Sequence, residues 1–240
     1  IEVQRNGGAV YFVSSTFSSS YPTIAPATSH QGGQDGVISV LNRDLTQLLA
    51  STYAGTSGNE ALYSIALADK QGLNFPSPSF KFTPFYVAGS IGPSTDSSIA
   101  MGWPNPVYDY SIPVSSDQDA LLLAGDLGPA AIGTGNFITM SAVDVQADSG
   151  YNQHFFVETH NETDTASVVT VVGQHKGGLV ADSLTWGQPG SAQYFQRYKK
   201  DGNSGFIKLK TAVWGDSAHA TVDVSPTALL VDDCGNTYFS

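Results

Sequence analysis

Short apolar stretches, some alternating with polar residues and all ended by clusters of Gly, Asn, Asp and Ser, run through the chain with the period of strands, not helices. Gly36-Val37-Ile38-Ser39-Val40-Leu41 reads as a buried strand entering the polar turn Asn42-Arg43-Asp44. Leu45 to Tyr53 follows with partial alternation, so the two predict a hairpin. Ala54 to Glu60 breaks the chain and Ala61 to Leu67 alternates again before Asp69-Lys70-Gln71-Gly72 turns it. With Val10 to Ser14, the first unit holds about four strands.

That unit recurs. Gly8-Ala9-Val10-Tyr11-Phe12-Val13-Ser14 returns as Gly235-Asn236-Thr237-Tyr238-Phe239-Ser240, and Phe85-Tyr86-Val87-Ala88-Gly89-Ser90 and Val169-Thr170-Val171-Val172-Gly173-Gln174 lie between them. Copies roughly 65 to 85 residues apart mark a repeat architecture. The approximate repeats are 7–84, 85–167 and 168–233, with a fourth opening at 234–240. Asp119-Ala120-Leu121-Leu122-Leu123 in the second repeat stands where Asp35-Gly36-Val37-Ile38-Ser39 stands in the first. The expected class is all-β, built of four-stranded antiparallel sheets of the β-propeller kind, about three blades plus one strand and part of a larger propeller. Three blades cannot close a ring, so the exposed blade edges are expected to be covered by sequence outside residues 1–240, by another domain or by another chain.

Composition narrows the function classes. Ten Lys and Arg against 21 Asp and Glu give a net charge of −11, which repels phosphate backbones, so no nucleic-acid partner is expected. Lys199, Lys200, Lys208 and Lys210 form the one basic cluster and read as a solvated strand edge. No apolar run is long enough to span a bilayer as a helix, so no membrane insertion is expected. Cys234 is the single cysteine, so no intrachain disulfide can form, and it is expected to be buried. The absent initiator Met and the end inside a strand-like segment suggest an excerpt of a longer chain.

Asp35 to Asn42 followed by Leu48 to Glu60, including Ser51-Thr52-Tyr53-Ala54-Gly55, resembles the SBBP-type bacterial β-propeller repeat in order and spacing. The stretch from Asn203 through Val224-Ser225-Pro226-Thr227-Ala228 to Ser240 looks like the form of that repeat found in large secreted Bacteroidota proteins, associated with gliding motility and type IX secretion. The resemblance covers both ends well and residues 85–150 poorly. It implies an extracellular or cell-surface structural or adhesive scaffold that is not an enzyme and uses no cofactor, with other domains of the same polypeptide, other surface proteins or glycans as partners. Asp164-Thr165-Ala166, Asp182-Ser183-Leu184 and Asp216-Ser217-Ala218 match the Bacteroidota O-glycosylation pattern, making Thr165, Ser183 and Ser217 candidate sites. Asn161-Glu162-Thr163 is formally an N-glycosylation sequon.

The candidate ligand-binding residues are Trp103, Tyr108 and Tyr110, in the Pro-rich aromatic segment Trp103 to Tyr110, where rings stack on sugars or fold as a flap over their own blade. A glycan-binding module is therefore the alternative function, with a propeller hydrolase third. Gly202-Asn203-Ser204-Gly205 looks like a serine-protease nucleophile loop, but Ala218-His219 lies downstream of it, the reverse of what that chemistry's family needs, and a hairpin turn accounts for it. His154, Glu158 and His160 have even spacing that places them on one strand face, short of a fourth metal ligand. Asp35, Asp119 and Asp201 read as turn caps before they read as cation or sugar ligands.

Overall fold

The structure, a computed structural model, describes residues 1–4, 8–24, 27–68, 84–94, 100–101, 118–129, 136–146, 151–163, 166–176, 185–187, 193–200, 206–215 and 226–240. Among these there are strands and no helix, as the periodicity predicts. The first sheet joins β1 (Glu2–Val3), β2 (Val10–Thr16), β3 (Asp35–Leu41) and β4 (Leu48–Gly55), with β7 (Ala100–Met101) on its outer edge. The second joins β5 (Glu60–Leu67), β6 (Phe85–Ile91), β8 (Asp119–Pro129) and β9 (Asn136–Gln146). The third joins β10 (Tyr151–Thr163), β11 (Ala166–Lys176), β13 (Gln193–Lys200) and β14 (Phe206–Gly215), with β12 (Thr185–Gly187) parallel to β14. A last hairpin pairs β15 (Leu229–Val231) with β16 (Thr237–Phe239), so the fourth unit holds two strands and not one.

Each main sheet is an antiparallel meander, and it starts one strand earlier than the sequence repeat does. β5 ends the first sequence unit yet pairs with β6, the opening strand of the next. The first strands β1, β5, β10 and β15 lie next to one another in that order.

The sheets stack face to face. Tyr11, Ile38, Val40 and Ala50 of the first sheet pack on Ile65, Phe85, Val87, Leu121 and Leu123 of the second. The opposite face of the second sheet, with Ala66, Tyr86, Ala88 and Leu122, packs on Val157, Val169, Val171 and Tyr198 of the third. Successive side chains of a strand point to opposite faces, so a sheet covered on both sides needs unbroken apolar runs. That is why all seven residues of β6, FYVAGSI, are buried.

The outer face of the first sheet is closed from within. Val37, Ser39, Ser51 and Tyr53 are buried there beneath the connection between β2 and β3. The Tyr21 hydroxyl bonds Ser39 Oγ at 2.9 Å, Ser39 bonds Ser51, and the Tyr53 hydroxyl donates to the Ser18 carbonyl while accepting from the Tyr21 amide. Ile24 and Thr28 then bond the backbone and side chain of β4. Eighteen residues separate β2 from β3, enough to cross this face, and their hydroxyls and amides bond Ser39, Ser51, Thr52 and Tyr53 beneath them.

Candidate functional site

The polar residues of the first strands gather at the end of the stack where β3 and β8 begin. Glu60 N–H donates to the Gln34 carbonyl, and Asn152 N–H donates to the Gln118 carbonyl, each at 2.7 Å. Gln34-Asp35 and Gln118-Asp119 are the same dipeptide at the entry of the third strand, so one repeated backbone bond ties each sheet to the next.

Three residues after each tie the first strand bulges. Tyr63 is the extra residue between the pairs Leu62↔Gly89 and Ser64↔Ala88, and Phe155 is the extra residue between His154↔Gly173 and Phe156↔Val172. Gly89 and Gly173, at one position of the repeated phrase, explain this. A Cβ on Gly89 would strike the Ala61 carbonyl, and one on Gly173 would strike the Gln153 carbonyl and lie 2.6 Å from Tyr194 Cζ. Only glycine admits the first strand so closely.

The two bulges bring Tyr63 and Phe155 together, with ring centroids 5.4 Å apart and planes tilted by 31°. Tyr63 is 40% exposed. Its hydroxyl bonds Ser90 Oγ at 3.0 Å and accepts from Gln153 Nε2 at 3.2 Å. Gln118 Nε2 donates to Ser90, and Gln153 Nε2 also donates to Gln118 Oε1. An exposed ring beside planar amides and a hydroxyl offers both stacking and paired hydrogen bonds, the chemistry that holds a sugar or a peptide backbone. Neither Tyr63 nor Ser90 stood out in sequence; the signal that finds them is the repeated glycine opposite the first strand.

The bulge at Phe155 overturns the one-face arrangement of His154, Glu158 and His160. Opposite Gly173, His154 faces the second sheet and is fully buried, its Nδ1 3.0 Å from the Tyr194 hydroxyl. Glu158 and His160, opposite Thr170 and Val168, face the other way. One extra residue flips everything beyond it, and among the described residues no group of three or more His, Cys, Asp or Glu could hold a metal ion.

On the side away from the second sheet, burial first and then the nearby Glu2 carboxylate push Glu158 up to about 7, against a small lowering by the Thr159 amide. Glu2 belongs to the first strand of the first sheet, Glu158 to that of the third.

Of the Asp turn residues, Asp35 is fully buried and its Oδ2 accepts the Gln31 amide at 2.7 Å, as a cap does. Asp201 lies outside the described residues. A cap that sequence reading missed is Asp232, whose Oδ1 accepts the amides of Cys234 and Asn236. The Asn236 side chain and amide hold its carboxyl below the usual carboxylate range. Hydrogen bonding to Asp232 raises the Tyr238 hydroxyl. Cys234, expected in the interior, is exposed in this turn because the turn needs its backbone amide and offers no core to its side chain.

Trp103, Tyr108, Tyr110, Thr165, Ser183 and Ser217 lie outside the described residues, as do Gly202 to Gly205 and His219. No family model matches the sequence, and no curated protein matches it at a significant level.

Proposed function

We propose that the chain is a propeller-type scaffold of a secreted or surface-displayed protein, built to hold binding surfaces and not to catalyse a reaction. The observation that carries the reading is the packing of the first strands β1, β5, β10 and β15 on one another in order, as strands gathered around one axis would pack. Glu158 also feels the Glu2 carboxylate, although the second sheet stands between the sheets that carry them. The ties Gln34–Glu60 and Gln118–Asn152 support a regular step from sheet to sheet. The acidic surface suits an exposed, soluble module.

The test is a cross-link. In a Cys234→Ser background, Glu2→Cys with Glu158→Cys joins under mild oxidation or with a short bis-maleimide if the first strands converge. A folded double variant that resists both reagents overturns the architecture. Protein-dependent turnover of a peptide, ester or glycan would overturn the scaffold role.

A glycan-binding reading is favoured by Tyr63 and Phe155 with Ser90, Gln118 and Gln153. On a glycan array, binding lost on Tyr63→Ala places it at this ridge, and binding lost on Trp103→Ala places it at the 103–110 segment. No binding by the folded chain removes it.

A further inference from the structure

The junction of the second and third sheets carries a side-chain network that the repeat itself does not require. Ala61 follows the tie residue Glu60 at the first junction, and Gln153 follows the tie residue Asn152 at the second. A methyl group serves at one step, whereas an amide stands at the other.

That amide closes a circuit of hydrogen bonds. Gln153 Nε2 donates to the Tyr63 hydroxyl at 3.2 Å and to Gln118 Oε1 at 2.9 Å, Gln118 Nε2 donates to Ser90 Oγ at 2.6 Å, and Ser90 Oγ meets the Tyr63 hydroxyl at 3.0 Å. Ser90 is fully buried, so its hydroxyl serves the circuit alone.

A side-chain amide has two N–H donors and one accepting oxygen. Gln153 uses both of its N–H groups in the circuit, and its Oε1 accepts no bond among the described residues. Gln118 uses Oε1 and one N–H, and its second N–H has no partner there. One acceptor and one donor are therefore left over, on two amides held side by side. Beside them lie the Tyr63 ring, 40% exposed, and the Phe155 ring with its centroid 5.4 Å away. All four members of the circuit are neutral, and the net charge of −11 disfavours an acidic ligand.

Resting on the glycan reading of this ridge, we infer that its ligand is a neutral sugar chain bearing acetamido groups. The acetamido N–H donates to Gln153 Oε1, its carbonyl accepts from Gln118 Nε2, and the pyranose face lies on Tyr63. A peptide offers the amide but lacks the pyranose face.

The test compares N,N′-diacetylchitobiose with cellobiose, two disaccharides of one linkage that carry acetamido or hydroxyl groups at C2, and adds blocked trialanine as the peptide arm. Each is titrated into the whole 240-residue chain and followed by NMR. Diacetylchitobiose is expected to bind about tenfold more tightly than cellobiose, the worth of a paired amide contact, and trialanine is expected not to bind. Tyr63→Ala should weaken both sugars about tenfold. Gln118→Glu keeps an acceptor for Gln153 and lets Ser90 donate to the carboxylate, so the circuit survives, but it has no N–H for the ligand carbonyl and should abolish the preference for diacetylchitobiose. Equal binding of the two sugars, an unchanged preference in folded Gln118→Glu, or trialanine binding as tightly as diacetylchitobiose overturns the inference. If both sugars bind equally and Tyr63→Ala loses both, the glycan reading survives and the acetamido assignment alone fails; if neither sugar binds, both fall.

Discussion

Replacing Glu158 by Gln should stabilise the protein above neutral pH and leave it unchanged below about pH 4.5. The carboxyl titrates near 7 in the folded chain against 4.5 ordinarily, because burial and Glu2 both disfavour its charged form. The folded state thus binds the proton more tightly than the unfolded state does. The stability this lends is fully present below pH 4.5 and is lost as pH rises through about 7. At about 1.4 kcal/mol per pH unit the shift corresponds to a ceiling of about 3 kcal/mol. Glu158 keeps part of its surface in water, and solvent screening reduces the expected effect to about 1 kcal/mol. Urea unfolding of wild type and Glu158→Gln at pH 4.5, 6 and 8 measures it. Glu158→Gln should match wild type at the lowest pH and gain about 1 kcal/mol at the highest. Glu2→Gln, removing the second cause, should gain less. Parallel stability curves for wild type and Glu158→Gln across that range would refute both the burial argument and the approach of β1 to β10.

Gly89→Ala and Gly173→Ala should each cost about 2 to 4 kcal/mol in urea unfolding, since the added methyl meets the carbonyl of a bulged strand. A loss below about 0.5 kcal/mol at either would contradict the close approach. Arg197→Ala should release the β15–β16 hairpin and raise amide exchange at Asp232 and Ser240, whose N–H groups bond within it, at least tenfold while the three main sheets stay protected. Exchange unchanged there would show that the aromatic stack alone holds the hairpin. Cys234 should react with a thiol reagent in native buffer as completely as in denaturant, because it is exposed; protection in native buffer would place the turn elsewhere.

The strands were legible because their burial is regular. Gly36 to Leu41 and Phe85 to Ala88 are apolar runs with turn residues at both ends, and such runs have few alternatives to a strand covered on both faces. The repeated glycine was visible as well, but its meaning was not. Gly89 and Gly173 act on the neighbouring strand, and a contact between residues 61 and 89, or 153 and 173, leaves no local pattern. The same distance effect hid the phase of the sheets, since pairing across a long connection decides that β5 joins β6. His154 shows the cost of an undetected bulge, for even spacing alone assigns it to the wrong face.

The cover over the first sheet has a consequence for the order of events as the chain is made. Residues 17–31 emerge between β2 and β3, so the first sheet carries its own lid before any residue of the second exists. It can close without waiting for a distant part of the sequence, and its remaining apolar face, with Tyr11, Ile38 and Val40, then becomes the template on which the next sheet condenses. Within residues 1–240 the lidded sheet thus offers a preformed surface on which the later meanders can condense one at a time.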